Sequence, residues 1–194
     1  MSDDKLSFMK SEKNLFLRLK KYKDRQAFIT AYDLYVHDIH RFIFFKINSK
    51  EEAEDLTSAV FVKCWTYVQE GKLNDSNEYK SLKAFLYKIA RNAVIDHYRQ
   101  NRPEVDLEEA DEVVDQKQTA DQITDLQIDL DLVKEKLSGL KNEYRSIIVM
   151  HYVNQLSITE IAQVLEKTKG NVRVTLHRAL HALRESFDEK KGRG

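Results

Sequence analysis

The chain has 194 residues, of which 42% are hydrophobic and 33% are charged, and its formal net charge is zero. Five glycines, one proline and one cysteine exclude a collagen-like or low-complexity chain, an all-β fold with many tight turns, and a disulfide framework. No apolar run approaches the roughly 20 residues that cross a bilayer, and the first ten residues lack the apolar core of a signal peptide. We therefore expect a cytoplasmic protein with no membrane insertion.

Charge is unevenly distributed along the chain. Residues 1–103 carry 19 Lys and Arg against 14 Asp and Glu, whereas residues 104–133 carry 11 acids and one lysine. Residues 134–194 are basic again, with 12 Lys and Arg against 7 acids. We predict two domains, 1–103 and 132–194, joined by an acidic and partly disordered linker, 104–131, in which a helix begins near Asp121. Such asymmetry indicates nucleic-acid or charged-protein partners.

The first domain is predicted to be helical. Asp24 can cap one helix, and Ser49-x-x-Glu52 is a capping box for another helix over residues 50–68. A loop over residues 71–77 separates that helix from the next, at about 79–100. No stretch of the chain alternates cleanly enough to predict a strand.

The helix at 79–100 carries aromatic, basic and amide side chains on one side. Bases stack on aromatic rings, cations contact phosphates and an amide can read a base edge, so this side suits single-stranded nucleic acid. From these residues alone, a solvated basic face with one core phenylalanine is the alternative. This face comprises Phe85, Lys88, Asn92, Asp96 and Arg99. A second side next to it carries Lys83, Tyr87 and Arg91. A third side is an apolar stripe of Leu82, Leu86, Ile89 and Ala93.

Further helices are predicted near 130–138, 141–153, 157–166 and 169–187. The last two form a helix-turn-helix pattern, because a Ser157-x-x-Glu160 capping box begins one and a short turn precedes the other. Glu166 occupies the position in the turn where glycine is usual, so its backbone carries some strain. The alternative to a DNA-binding helix-turn-helix is an ordinary helical hairpin whose charged side chains are solvated. We expect the second helix to bury Val172, Leu176, Ala179 and Leu180 and to present Lys169, Asn171, Arg173, Thr175 and His177 to the major groove.

Three segments stand out in chain order: DLTSAVFVKCW at 55–65, FLYKIARNAVIDHYR at 85–99, and LSITEIA, GNV and HRA within 156–179. In this order they resemble the motifs of bacterial sigma-70 RNA polymerase sigma factors of the short, two-domain, extracytoplasmic-function (ECF) type. Residues 55–65 (DLTSAVFVKCW) are similar to the polymerase-binding pattern D-L-x-Q-E-x-F-x-x-x-W. Residues 85–99 (FLYKIARNAVIDHYR) resemble W-L-Y-x-I-A-x-N-x-x-x-D-x-x-R, the helix that recognises and opens the −10 element. Residues 156–162 (LSITEIA), 170–172 (GNV) and 177–179 (HRA) resemble the −35-binding pattern L-S-x-x-E-I-A … G-T-V … R-A.

The resemblance implies an all-α fold of two helical domains, sigma regions 2 and 4, with no catalytic residue, cofactor or metal. It implies that the clamp helices of the largest subunit of core RNA polymerase contact Glu52, Asp55, Leu56, Ser58, Ala59 and Val62, and that the polymerase flap is a further partner. Melted −10 DNA would meet the loop 71–78 together with Phe85, Lys88, Arg91, Asn92, Asp96 and Arg99. The −35 duplex would meet Ser157, Lys169, Gly170, Asn171, Arg173, Thr175, His177 and Arg178.

The implied function is that of a dissociable subunit that directs promoter-specific initiation in the cytoplasm, associated with the nucleoid. Family members are often held by an anti-sigma factor, and departures from the family pattern leave room for an auxiliary DNA-bound recruiting protein. A helix-turn-helix regulator that acts without polymerase docking is the alternative. An enzyme is least favoured, because no phosphate loop or nucleophile elbow is present. The departures are Ser58, Ala59, Phe85 and Glu166.

Overall fold

The computed structural model describes residues 3–47, 49–75, 81–101, 135 and 137–191. Regular structure in these ranges is entirely helical, which confirms the predicted all-α class. Two compact units are formed, by residues 1–94 with 163–166 and by residues 95–162 with 167–194. The predicted acidic linker, and the helix expected to begin near Asp121, lie outside the described residues.

The first unit is built from helices that mostly match the expected ones. The prediction missed the first helix, and a short helix lies within residues 71–77, where only a loop was expected. The elements are α1 (Asp3–Tyr22), α2 (Arg25–Phe44), α3 (Lys50–Gln69), α4 (Lys72–Asp75) and α5 (Leu82–Asn101), whose last residues belong to the second unit.

Side chains at the predicted N-caps fix where these helices begin. Asp24 Oδ1 accepts hydrogen bonds from the backbone N–H of Gln26 and Ala27, at 2.8 and 3.2 Å. Ser49 Oγ accepts from the N–H of Glu52 at 3.2 Å, so both caps are confirmed. The start predicted near 79 for α5 is too early, because the helix begins after Ser81, whose Oγ caps it.

Aromatic contacts join α2, α3 and α5 in the core of the first unit. Phe28 lies against Trp65 and Tyr32 against Phe61, each pair with ring centroids 4.8 Å apart. These pairings run in opposite directions along the two helices, so α2 and α3 pack as an antiparallel pair. The ring of Tyr87 is fully buried on α5, close to Phe42.

The second unit contains α6 (Asn142–Ile148), most of α7 (Ile158–Leu165), whose last residues belong to the first unit, and α8 (Lys169–Lys191). The predicted helix over 141–153 changes to a π-helical turn at Val149–Val153, in which the N–H of Asn154 bonds the carbonyl of Val149 at 2.9 Å. A buried arginine stabilises the turn that precedes α6. Arg145 donates to the carbonyls of Leu137 and Ser138, and burial lowers the pKa of its guanidinium.

The helix-turn-helix forms at the predicted place. Ser157 and Glu160 make a reciprocal capping box, in which Ser157 N–H donates to Glu160 Oε2 at 2.8 Å and Glu160 N–H donates to Ser157 Oγ at 3.2 Å. Glu166 has φ of 55°, which confirms that a non-glycine residue occupies a left-handed position in the turn. The next helix, α8, begins at a threonine cap, because Thr168 Oγ1 accepts from the N–H of Asn171.

Candidate functional site

The side of α3 that faces away from the core carries the predicted polymerase-binding residues. Its opposite side packs into the unit through residues such as Ala53, Val60 and Cys64, all buried as expected. Val62 is 66% exposed on the outward side, where its side chain is accessible to a partner. The outward side consists of Glu52, Asp55, Ser58, Ala59 and Val62, with Leu56 half-buried at its edge.

The first half of α5 is more deeply buried than its pattern indicates. Phe85 is only 5% exposed, with its ring 6.1 Å from that of Tyr67. Tyr87, expected beside the nucleic-acid face, is inside the core, and its hydroxyl points to the carbonyl of Asp38. Burial of Phe85 agrees with the alternative of a core phenylalanine, and Tyr87, expected on a side next to the nucleic-acid face, packs in the core instead.

Polar members of the predicted α5 face lie closer to the surface than these rings do. Arg99 is exposed and lies 3.7 Å from the carboxylate of Asp96, an ordinary surface ion pair one turn apart. The stripe on the other side is buried at Leu82, Leu86 and Ile89, as expected. The half-buried polar residues of the predicted site are Lys88, Arg91, Asn92 and Asp96.

A narrow buried stripe holds α8 in the second unit and turns the rest of the helix outward. Val172, Leu176 and Ala179 are buried as expected. Leu180, predicted to be buried, is 37% exposed, because the stripe passes through Thr175 instead. The candidate DNA-binding residues exposed on α8 are Lys169, Gly170, Asn171, Arg173, His177 and Arg178.

Thr175, the remaining candidate on α8, faces the interior. It is 8% exposed, and its hydroxyl donates to Asn171 Oδ1 at 3.1 Å. Thr175 therefore orients the amide of Asn171, one turn earlier on the exposed side. Ser157, the candidate at the start of α7, is exposed, and its hydroxyl is bound to Glu160 within the capping box.

Two features of α8 were not recognised from the sequence. Val174 is 50% exposed near the middle of the outward side. Its spacing of four residues from Gly170 and three from His177 could have placed it on the same side of the helix as these two residues. A Cβ built on Gly170 would meet nothing nearer than Thr168 Oγ1, at 3.9 Å. The protein therefore has room for a side chain at Gly170, and a glycine there instead lets an outside molecule approach the backbone.

The described ranges hold no sign of a metal site, a membrane span or a reactive thiol. There, no three His, Cys, Asp or Glu side chains come together as metal ligands would. None of the helices described is both long enough and apolar enough to cross a membrane. Burial raises the pKa of the Cys64 thiol to about 12, so this cysteine is a core residue rather than a nucleophile.

Comparison with known families gives two matches that follow each other along the chain. Sigma-70 region 2 matches residues 31–104, and Sigma-70 region 4 matches residues 130–183. Among the solved structures, the chain resembles CnrH in complex with the cytosolic domain of CnrY, with a TM-score of 0.68 and 19% identity over 92% of this chain and 97% of that one. Identity this low shows the fold alone.

Two relatives match over most of their own length. The chain is 28% identical to the ECF RNA polymerase sigma factor SigW of Bacillus subtilis (strain 168) over 88% of this chain and 95% of that protein. It is 27% identical to SigM of the same organism, over 81% of this chain and 93% of that protein. Together with the two region matches, these relatives show that the chain belongs to the sigma-70 family of RNA polymerase sigma factors, of ECF type, and directs promoter-specific transcription initiation.

Proposed function

We propose that three helical surfaces divide the work of initiation between them. The outward side of α3 binds the clamp helices of the largest polymerase subunit, and the polar residues of α5 contact the melted −10 strand. The outward side of α8 reads the −35 duplex. Domain boundaries at 103 and 132 would place the first two surfaces in region 2 and the third in region 4.

The observation that carries this proposal is the outward side of α8. Lys169, Arg173 and Arg178 are exposed there, and residues 169–184 contain no Asp or Glu. A helix that follows a tight turn and presents cations and an amide in its first turns suits the major groove, where cations contact phosphates and amides read base edges. Close approach of the duplex is also helped by the bare backbone at Gly170.

Burial of Phe85 changes what α5 is expected to do. A ring packed against Tyr67 is poorly placed to stack on an unpaired base, so its part in the −10 contact would be to hold the helix in position. Base and phosphate contacts then fall to Arg91 and Asn92, with Asp96 and Arg99 one to two turns later. Lys88, whose ammonium is paired with the carboxylate of Glu166, would join them by exchanging that partner for a phosphate. The loop expected at 71–78 remains a partner for the same strand.

The function proposed is binding and positioning, with no covalent chemistry, no cofactor and no metal. We place it in the cytoplasm, in association with the nucleoid. An anti-sigma factor is a further proposed partner, because the chain also resembles the sigma factor RpoE solved in complex with the anti-sigma factor NepR from Bartonella quintana, with a TM-score of 0.59 and 22% identity over 83% of this chain and 96% of that one.

Transcription in vitro tests the proposal. Core polymerase, with and without the full chain, is supplied with genomic fragments, and start sites are mapped. New start sites that depend on the chain are expected. If the chain binds duplex DNA but adds no start site and does not bind core polymerase, it is a helix-turn-helix regulator instead.

Single substitutions assign the surfaces in the same assay. Asp55→Lys should weaken binding to core polymerase, whereas Asp33→Lys, at an exposed position on α2, should not.

Asn92→Ala should lower open-complex formation on duplex promoters, with partial recovery on a template already unpaired at −10, because the cost of opening is then removed. Asn14→Ala, on the exposed side of α1, is the matched control. Normal initiation by the Asn92 variant would remove α5 from base capture.

A further inference from the structure

One exposed apolar side chain lies among the polar residues of α8. Val174 is 50% exposed, and at 100° per residue it projects almost directly away from the buried stripe of Val172, Leu176 and Ala179. Gly170 lies one turn before it, and His177 and Arg178 lie one turn after it, all exposed. Val174 is therefore at the centre of the surface proposed to read the −35 duplex.

This valine contributes little to the fold. Valine is a poorer helix former than alanine, and half of the side chain lies outside the unit, so neither helix propensity nor packing accounts for it. Its branched Cβ does have a consequence at a binding surface. In a helix nearly all valines keep one χ1 rotamer, so the two methyl groups are held in one direction and lose little freedom on contact.

Only one chemical group in the major groove is an apolar partner for the two methyl groups of Val174. Thymine presents its C5-methyl there, whereas the other three bases present hydrogen-bond donors and acceptors. We propose that Val174 packs against the C5-methyl of a thymine in the −35 duplex and thereby selects an A·T pair at that position. This inference rests on the function proposed for α8 and adds the residue and the base that it selects.

Deoxyuridine provides a direct test, because it pairs as thymine does but lacks the methyl group. The probe is a duplex promoter fragment found by start-site mapping, in which each −35 thymine is replaced in turn by deoxyuridine. Competition binding is measured with the full chain assembled on core polymerase. Loss of one buried methyl should weaken binding about three- to fourfold at one position.

Variants assign that loss to the side chain. Val174→Ala should bind the thymine and deoxyuridine probes equally at that position, whereas Val174→Ile should still prefer thymine. Leu17→Ala, which truncates a side chain that is 55% exposed on α1, should discriminate as the unchanged chain does. Far-UV circular dichroism during heating verifies that each variant is folded.

Two results would overturn the inference. One is a chain that binds every deoxyuridine probe as tightly as the thymine probe. The other is Val174→Ala keeping the discrimination of the unchanged chain at every position. Both leave transcription from the mapped promoters intact, so they are distinct from failure of the proposed function, in which no chain-dependent promoter is found.

Discussion

The two helices proposed to contact DNA differ in how much of their circumference is buried. In the first half of α5, buried residues occur on every side, so the helix is enclosed by its own unit. In α8 only a narrow stripe is buried, and the remaining sides are open. The buried residues are Leu82, Ala84, Phe85, Leu86, Tyr87, Ile89 and Ala90 on α5, against Val172, Thr175, Leu176 and Ala179 on α8.

The difference shows how a helix can combine packing with recognition. On α8 the two tasks fall on different sides, so an outward side chain can change with little effect on folding. On α5 they share sides, so a substitution near the proposed −10 surface also perturbs the core. Loss of promoter opening through an α5 substitution therefore needs a stability measurement beside it before it is assigned to DNA contact.

Truncation of Phe85 should produce the largest effect. Phe85→Ala leaves a cavity beside Tyr67, and we expect the free energy of unfolding of the first unit to fall by about 3–5 kcal/mol. His177→Ala, on the open side of α8, should change it by less than about 0.5 kcal/mol. Chemical denaturation followed by the fluorescence of Trp65, the only tryptophan, reports the first unit, and circular dichroism reports the whole chain.

A different result would show that α5 is open to DNA at Phe85, as α8 is on its outward side. If Phe85→Ala unfolds as the unchanged chain does but opens duplex promoters poorly, the ring faces DNA in the working complex. The proposed role of Phe85 in holding the helix would then be wrong.

Two substitutions at Thr175 should change DNA affinity and stability separately within α8. Thr175→Val keeps the buried shape but removes the hydroxyl that orients Asn171, so affinity for the −35 duplex should fall about threefold with little loss of stability. Thr175→Ser keeps the hydroxyl but loses a methyl, so stability should fall by about 1 kcal/mol with affinity retained. Thermal unfolding and competition binding measure the two quantities. Parallel changes in both would show that Thr175 acts only through packing.

The smallest effect is expected in the turn before α8. Glu166 has φ of 55°, so glycine there relieves backbone strain but also loosens the unfolded chain. We expect Glu166→Gly to be more stable than Glu166→Ala by about 0.5 kcal/mol. Comparing these two variants cancels the contacts of the glutamate side chain, and chemical denaturation is the measurement. Equal stability of the two variants would mean that the turn relaxes around residue 166.

Local signals in the sequence predicted the helix starts, because a capping side chain acts on backbone groups two or three residues away. Asp24, Ser49 and Ser157 could therefore be identified without knowledge of the fold. Burial of Thr175 could not, and burial of Phe85 stayed one of two alternatives, since both depend on which helices surround α5 and α8. Helical periodicity gives the direction in which a side chain points, but the partner found in that direction comes from distant parts of the chain.

The first helix was missed for a related reason. Its apolar residues Leu15 and Leu19 are buried where α1 packs against other helices of the unit, chiefly α2, and no S/T-x-x-E/Q capping box precedes them. Glu166 shows the converse case. Its left-handed conformation was expected from its position in the helix-turn-helix pattern, where glycine is usual, and the structure confirms it.

The wide turn at Val149–Val153 has a consequence for the length of the chain. A π-helical turn accommodates one residue more than an α-helical turn of the same rise, and here it ends at Asn154, with Gln155 at φ of 54°. Removal of a single residue from this turn is expected to return it to regular α-helix while leaving α6 and the start of α7 intact. Sequences aligned across residues 149–155 should therefore tolerate a one-residue gap there, whereas a gap within α8 would rotate every later side chain by about 100°.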